Sequence, residues 1–281
     1  MTLHTLLAPA KINLTLHVVG QRDDGYHLLD SLVVFAEFGD RLSLEPERPL
    51  AVSITGPQAA GLASERDNLI LRAARLLGAT HGHFTLEKAL PVASGMGGGS
   101  SDAAAALRLL TKHSGQSLPG TVRAMTLGAD LPVCLAAPAP QRMRGLGEQV
   151  CAVDRVPALW MLLVNPGQGL STPSVFKALD EKHNPAMASK LPGWASIQEL
   201  CEWLRHQRND LQVPACRVVP QIAHVLDAIS AQPGCLLARM TGSGATCFGV
   251  FADPHSLSDA AAALDHSGWF VQATRTVGAV N

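Results

Sequence analysis

The chain has 281 residues, 47% of them hydrophobic and 16% charged, with a formal net charge of −1. That apolar content fills one large core or two modest ones, and two domains suit the length better. Near-neutrality argues against a nucleic-acid partner, which needs a basic face, and no run reaches the ~18 apolar residues that span a bilayer. The six cysteines lie far apart with no CxxC pair, as expected of reduced thiols in a cytoplasmic protein. The opening "MTLHTLLAPAKINL" lacks the basic start and long apolar middle of a signal peptide.

In chain order, roughly the first 60 residues read as strands. "INLTLHVVG" alternates apolar and polar residues, and "LLDSLVVF", "RLSLEP" and "LAVSITG" are short β-rich runs separated by Gly, Asp and Pro. "DNLILRAARLLGAT" has helical spacing, with Asp67 or Asn68 placed to cap it. "HFTLEKAL" alternates Phe84, Leu86 and Leu90 as a strand, which Pro91 ends, and "SDAAAALRLLTKH" is a strong helix. Pro119 opens another helix that stops at Gly128, and "LPVCLAA" reads as a buried strand.

The second half starts with the apolar strand "LWMLLV" and a turn at "NPGQG". Helices are expected near 173–182, 197–208 and 217–230, then a β-β-α-β ending through "CLLARM", "ATCFGVF", "LSDAAAALDH" and "WFVQATRT". The break between halves falls near Val153 to Pro157, giving domains over residues 1–154 and 155–281. Neither half alternates β-α-β-α regularly, so the class is α+β.

"PVASGMGGGSSD" (91–102) carries the chemistry. Glycines 95, 97, 98 and 99 permit positive φ and leave the backbone bare to a ligand. The helix that follows opens with unpaired N–H groups and a positive dipole end, which suits polyphosphate. Ser100 and Ser101 can cap that helix or offer hydroxyls to phosphate or its magnesium. A serine-capped surface turn is the plainer alternative. P-loop, Rossmann and protein-kinase signatures are all absent, and no lysine follows a glycine, so a cation must come from elsewhere in the chain.

The turn resembles the second motif of the GHMP kinases. "APAKINLTL" (8–16) and "MTGSGATCFGVF" (240–251) are similar to the first and third. The resemblance implies two domains, the first like ribosomal protein S5 and the second ferredoxin-like, with the active site between them. "DGYH" (24–27) and "GADLPVCL" (128–135) resemble the branch whose alcohol is linked to cytidine diphosphate. It implies ATP-dependent phosphorylation of the 2-hydroxyl of a cytidine-diphosphate-linked methylerythritol, in the non-mevalonate isoprenoid pathway. Ala93-Ser94, Met96 and "TGSG" depart slightly from the usual pattern and leave the turn glycines in place.

Carried over residue by residue, the resemblance assigns ATP to Pro91, Val92, Ala93, Ser94, Gly95, Met96, Gly97, Gly98, Gly99, Ser100 and Ser101. Asn68 would contact the adenine, although helix capping explains it equally well. Asp130 would be the catalytic base, with Lys11 beside it polarising the accepting hydroxyl. Asn13 would meet the erythritol end. Tyr26 would stack on the cytosine with Phe176 as the second face, His27 would read the base edge, and Gly242 and Gly244 would approach the phosphates or the substrate's diphosphate. Magnesium would arrive with ATP, since no His/Cys cluster has metal-ligand spacing. Asp210 reads as structural, Glu148 in "GLGEQV" has no evident role, and a monomer or weak dimer is expected. The rival readings are a GHMP kinase acting on another alcohol such as homoserine, a catalytically dead nucleotide binder, and a dinucleotide-dependent oxidoreductase.

Overall fold

The computed structural model describes residues 4–60, 62 and 68–278. Its first sheet has seven strands. They are β1 (His4–Asn13), β2 (His17–Gln21), β3 (His27–Pro49), β4 (Ala51–Thr55), β5 (His81–Glu87), β6 (Gln141–Gly145) and β7 (Gln149–Ala152). β3 is the spine. The runs "LLDSLVVF" and "RLSLEP", expected as separate strands, form this one element, and β1, β2, β5 and β6 all pair with it antiparallel. "INLTLHVVG" is divided instead: β1 ends at Asn13 and β2 begins at His17. "HFTLEKAL" leaves the sheet at Glu87, ahead of Pro91.

Helix α1 (Leu69–Leu76) is capped by Asn68, whose side chain accepts from the Ile70 N–H, while Asp67 lies outside the described residues. α2 (Gly98–Ser114) is the long alanine-rich helix, closed by Gly115 in the left-handed conformation. α3 (Thr121–Met125) follows. "LPVCLAA" is a helix, α4 (Leu131–Leu135), and not the expected strand. A short apolar run fits either element, and Pro132, which has no ladder N–H to give, is well tolerated in the first helical turn. α1, α2 and α4 cover one face of the sheet, around Phe35, Leu42, Leu44 and Phe84.

The second sheet has four strands in the order β11-β8-β10-β9: β8 (Trp160–Asn165), β9 (Cys235–Met240), β10 (Cys247–Phe251) and β11 (Phe270–Arg275), all antiparallel. Its helices are α5 (Thr172–Lys177), α6 (Ile197–Arg205), α7 (Gln212–Val218), α8 (Gln221–Ser230) and α9 (Pro254–Leu264). The single helix expected near 217–230 is two, because Pro220 cannot continue α7 and instead opens α8. Leu162 and Val164 of β8 face α8 and α9, while Met161 and Leu163 face the other way. The apolar run therefore marks a strand buried on both sides.

That second face of β8 packs against Ala10 and Ile12 of β1, Leu14 just after it, and Leu32 and Val34 of β3. One apolar cluster thus joins the two sheets, and it excludes water beneath the glycine turn that precedes α2. No helix among the described residues is long and apolar enough to cross a membrane.

Candidate active site

Three segments far apart in sequence are tied by backbone hydrogen bonds. The Lys11 N–H donates to the Met96 carbonyl at 2.9 Å, joining β1 to the glycine turn. The Thr246 N–H donates to the Ser94 carbonyl at 3.1 Å, joining that turn to the β9–β10 turn. The Asn13 N–H donates to Thr241 Oγ1 at 2.9 Å, closing the triangle. Gly95 and Gly242 make the close approach possible. A Cβ on Gly95 would lie 2.6 Å from the Thr241 carbonyl oxygen, and one on Gly242 would lie 2.5 Å from that of Gly95. Both have left-handed φ, +80° and +56°.

A cleft of about 780 Å³ opens over this junction. Gly97, Gly98, Gly99 and Ser100 form its floor. Gly97 caps α2 with φ +64°, whereas Gly98 and Gly99 already belong to the helix, so of the four glycines Gly95 and Gly97 have positive φ, as does Ala93 (φ +51°) earlier in the turn. The first intrahelical bond of α2 runs from the Ser101 N–H to the Gly97 carbonyl, so the N–H groups of Gly98, Gly99 and Ser100 have no helical acceptor. These donors and the positive end of a 17-residue helix face the cleft.

Lys11 and Asp130 meet in this cleft, Nζ to Oδ1 at 2.7 Å. The lysine side chain is 4% exposed and the carboxylate 35%. β1 is irregular between Pro9 and Lys11, where its pairing with β3 shifts register, and such a bulge re-aims the side chains around it. Asp130 stands at the start of α4, leaving its carboxylate uncommitted to any backbone N–H. Behind it, burial pushes the Cys134 thiol up to about 12, so that sulfur stays protonated. Asn13 donates to Ser31 Oγ at 2.7 Å, and its own Oδ1 is buried without a partner. That orphaned acceptor sits on a residue lining the cleft and suits a substrate hydroxyl.

Several expected contacts fall elsewhere. Met96 is fully buried in the apolar cluster between the sheets, so only its carbonyl serves the site. Ser101 is buried, and its hydroxyl donates to the Pro9 carbonyl at 2.8 Å, leaving Ser100 as the serine that faces ligand. Gly244 does not line the cleft, a Cβ on it would meet Met240 and Leu170, and Gly242 and Ser243 form the wall there. Tyr26 is 65% exposed at the tip of the β2–β3 hairpin, and it is His27 that stacks on Phe176, with ring centroids 4.5 Å apart and planes at 21°. The expected Tyr26–Phe176 pair of faces is therefore not assembled in this structure. His27 Nε2 is buried without a partner, and burial, helped by the Lys182 charge, lowers the pKa of the ring.

Lys88 was missed by sequence reasoning. It is buried at the cleft wall, paired with Asp40 and 3.6 Å from Asp102. Its signal is in the alternation: Phe84, Leu86 and Leu90 point inward, and Lys88 is in phase with them. Asp40 also accepts from the Ala89 and Leu90 N–H groups, which satisfies its charge. Asp102 has no such donors, and burial raises its carboxyl well above the usual carboxylate range. Thr172 and Ser243, whose hydroxyls pair at 2.8 Å across the cleft rim, were also missed, although Ser243 stands between the two glycines of the third motif.

The family models for the GHMP kinases N terminal domain and for GHMP kinases C terminal match residues 68–136 and 176–268. A protein of Cereibacter sphaeroides named 4-diphosphocytidyl-2-C-methyl-D-erythritol kinase is 55% identical over 274 residues, covering 96% of this chain and 98% of its own. One of the same name from Paracoccus denitrificans is 54% identical, covering 95% and 94%. The crystal structure of a 4-(cytidine 5'-diphospho)-2C-methyl-D-erythritol kinase superposes with a TM-score of 0.78 at 32% identity, over 98% of this chain and all of that one. The L. major mevalonate kinase, at 14% identity and a TM-score of 0.66 over 100% and 98%, shares the fold. The chain belongs to the family of 4-diphosphocytidyl-2-C-methyl-D-erythritol kinases, within the GHMP kinases.

Proposed function

We propose that this enzyme transfers the γ-phosphoryl group of ATP to the 2-hydroxyl of 4-diphosphocytidyl-2-C-methyl-D-erythritol, a step toward isoprenoid precursors, with the domains meeting near residues 154 and 155. One observation carries the chemistry: the Lys11–Asp130 pair and the open N-terminus of α2 face the same cleft. The donors of Gly98, Gly99 and Ser100 suit the triphosphate, and the bare turn lets it approach the backbone. Asp130 accepts the proton of the attacking hydroxyl while that oxygen forms its bond to the γ-phosphorus and the bond to ADP breaks. Lys11 offsets the charge that develops on the transferred group. Asn13 Oδ1 orients the alcohol.

Magnesium would neutralise the triphosphate and arrives with it. Among the described residues no three His, Cys, Asp or Glu side chains gather to cage an ion. Ser101 is committed internally, so the Ser100 hydroxyl and the unpartnered Asp102 Oδ1, both on residues lining the cleft, are the groups the chain would offer to the metal. At the other end of the substrate, the orphaned His27 Nε2 supports recognition of a cytosine edge, and Phe176 supports stacking, with Tyr26 closing over the base from the hairpin tip.

The direct test is ADP release with a panel of alcohols that includes the cytidine-linked substrate, homoserine and mevalonate. Turnover confined to the cytidine-linked compound is expected. Preference for either of the others overturns the assignment.

A further inference from the structure

Glu148 finds its place in the β6–β7 turn. Gly145 has φ +71°, and a Cβ there would lie 2.1 Å from Glu148 Oε1, so the carboxylate folds back over the bare Cα. Its other oxygen accepts from the Leu146 N–H at 2.6 Å. The Gly147 N–H completes the turn by donating to the Arg144 carbonyl at 3.2 Å. Within a turn so braced, Gly147 is pressed against the segment that carries the catalytic aspartate. A Cβ on Gly147 would lie 2.3 Å from the Ala129 carbonyl oxygen.

On its other side the same segment faces the start of α2. A Cβ on Gly128 would stand 3.8 Å from Ser100 Oγ, and the Leu131 N–H donates to the Gly128 carbonyl at 3.1 Å. Residues 128–131 therefore lie between the start of α2 and the β6–β7 turn, and the turn makes the tight contact, at Ala129. Lys11 fixes the tip of the Asp130 side chain, whereas Gly147 fixes its backbone.

We propose that Glu148 is a positioning residue for phosphoryl transfer, holding the 145–148 turn in the shape that seats Gly147 under Ala129 and so aims the Asp130 carboxylate. The inference rests on the reading of Asp130 as proton acceptor. A displacement of about 1 Å at a reacting group can cost on the order of 10²-fold in rate. A turn that merely stabilised the hairpin would lower the melting temperature and spare the rate of the folded enzyme.

The test compares Glu148→Ala, Glu148→Gln and Gly147→Ala in the parent enzyme and in an Asp130→Asn background, with melts to confirm folding. In the parent, Glu148→Ala and Gly147→Ala should lower kcat about tenfold or more and leave KM for ATP within about threefold. Glu148→Gln, whose amide oxygen can still accept from Leu146, should recover most of the loss. In the Asp130→Asn background the same changes should cost almost nothing further, because the group they aim is already gone. Parent-like kcat in both folded alanine variants, or an equal loss in both backgrounds, overturns the proposal. Parent-like turnover by Asp130→Asn alone removes the base reading, and the role of Glu148 falls with it. Should Glu148→Ala fail to fold, Gly147→Ala and Glu148→Gln decide the question.

Discussion

Replacing Asp130 with asparagine keeps the shape of the side chain and an oxygen to accept from Lys11, and it removes only the charge and the ability to take a proton. Two separate effects follow, and the structure sets the size of each. Lys11 is 4% exposed, so its ammonium is left in a largely dry place without an opposite charge. Breaking a fully buried pair costs about 3–5 kcal/mol. Here Asp130 is 35% exposed and the amide still accepts a hydrogen bond, so about 1–2 kcal/mol is the appropriate figure. For a chain of this length that amounts to a fall in Tm of roughly 2–8 °C. The catalytic effect is larger, since a positioned base contributes ~10²–10⁴-fold, or roughly 3–5 kcal/mol in the barrier. Coupled ADP release, run at saturating ATP and cytidine-linked substrate well below the melting point of the variant, separates the two. The expected result is a kcat at least about 10²-fold down with KM for ATP nearly unchanged. A folded Asp130→Asn enzyme within tenfold of the parent kcat would refute the reasoning, because a carboxamide cannot accept the proton.

Gly95→Ala should force the two glycine turns apart, since its Cβ would meet the Thr241 and Gly244 carbonyls at 2.6 and 2.7 Å in a left-handed conformation. A stability loss of about 2 kcal/mol or more is expected, with ATP affinity falling at least tenfold by calorimetry; unchanged affinity would show that the turns act independently. Tyr26→Ala should raise KM for the cytidine-linked substrate about tenfold while Tyr26→Phe costs little, and Phe176→Ala should do the same and also release His27; an effect on ATP instead would rule out the base-stacking role. Asp102 is protonated in the fold above the pH where an unfolded aspartate, near 3.9, has lost its proton, so the unfolded state binds fewer protons there and stability falls as pH rises through that window. Asp102→Asn escapes this loss, and its stability relative to the parent should climb from about pH 4 upward in denaturant melts; a gap that does not vary with pH would count against a protonated Asp102.

The glycine turn was legible from residue types that local structure seldom requires, whereas its two motif partners and Asp130 came from the resemblance to the GHMP kinases. Four glycines ahead of an alanine-rich helix announce a bare helix N-terminus, and that is where α2 starts. What stayed illegible is mostly long-range. Ser101 and Met96 sit in the quoted motif like their neighbours, and only the packing of β1 against α2 turns them inward. α4 was misread because "LPVCL" is apolar on every side, and what chooses helix over strand there is its docking on α2. The β6–β7 hairpin was not anticipated at all, its strands being five and four residues with mixed polarity.

Lys88 shows the limit most clearly. Its strand phase marks it as inward-facing, yet the adjacent Glu87 is exposed and the counter-charge is Asp40, 48 positions earlier, brought across by the pairing of β3 with β5. The same logic applies to the reacting pair. Lys11 comes from the first strand and Asp130 from beyond α2 in the chain, and the 2.7 Å between them is flanked by the Met96 carbonyl that holds β1 and by a hairpin turn that backs Ala129. Motifs therefore supply the groups, while the backbone contacts at glycines and carbonyls around them join segments far apart in sequence, and those pairings no motif records. Substitutions at Gly95, Gly147 and Glu148 should consequently disturb catalysis even though no side chain there reaches the phosphoryl group.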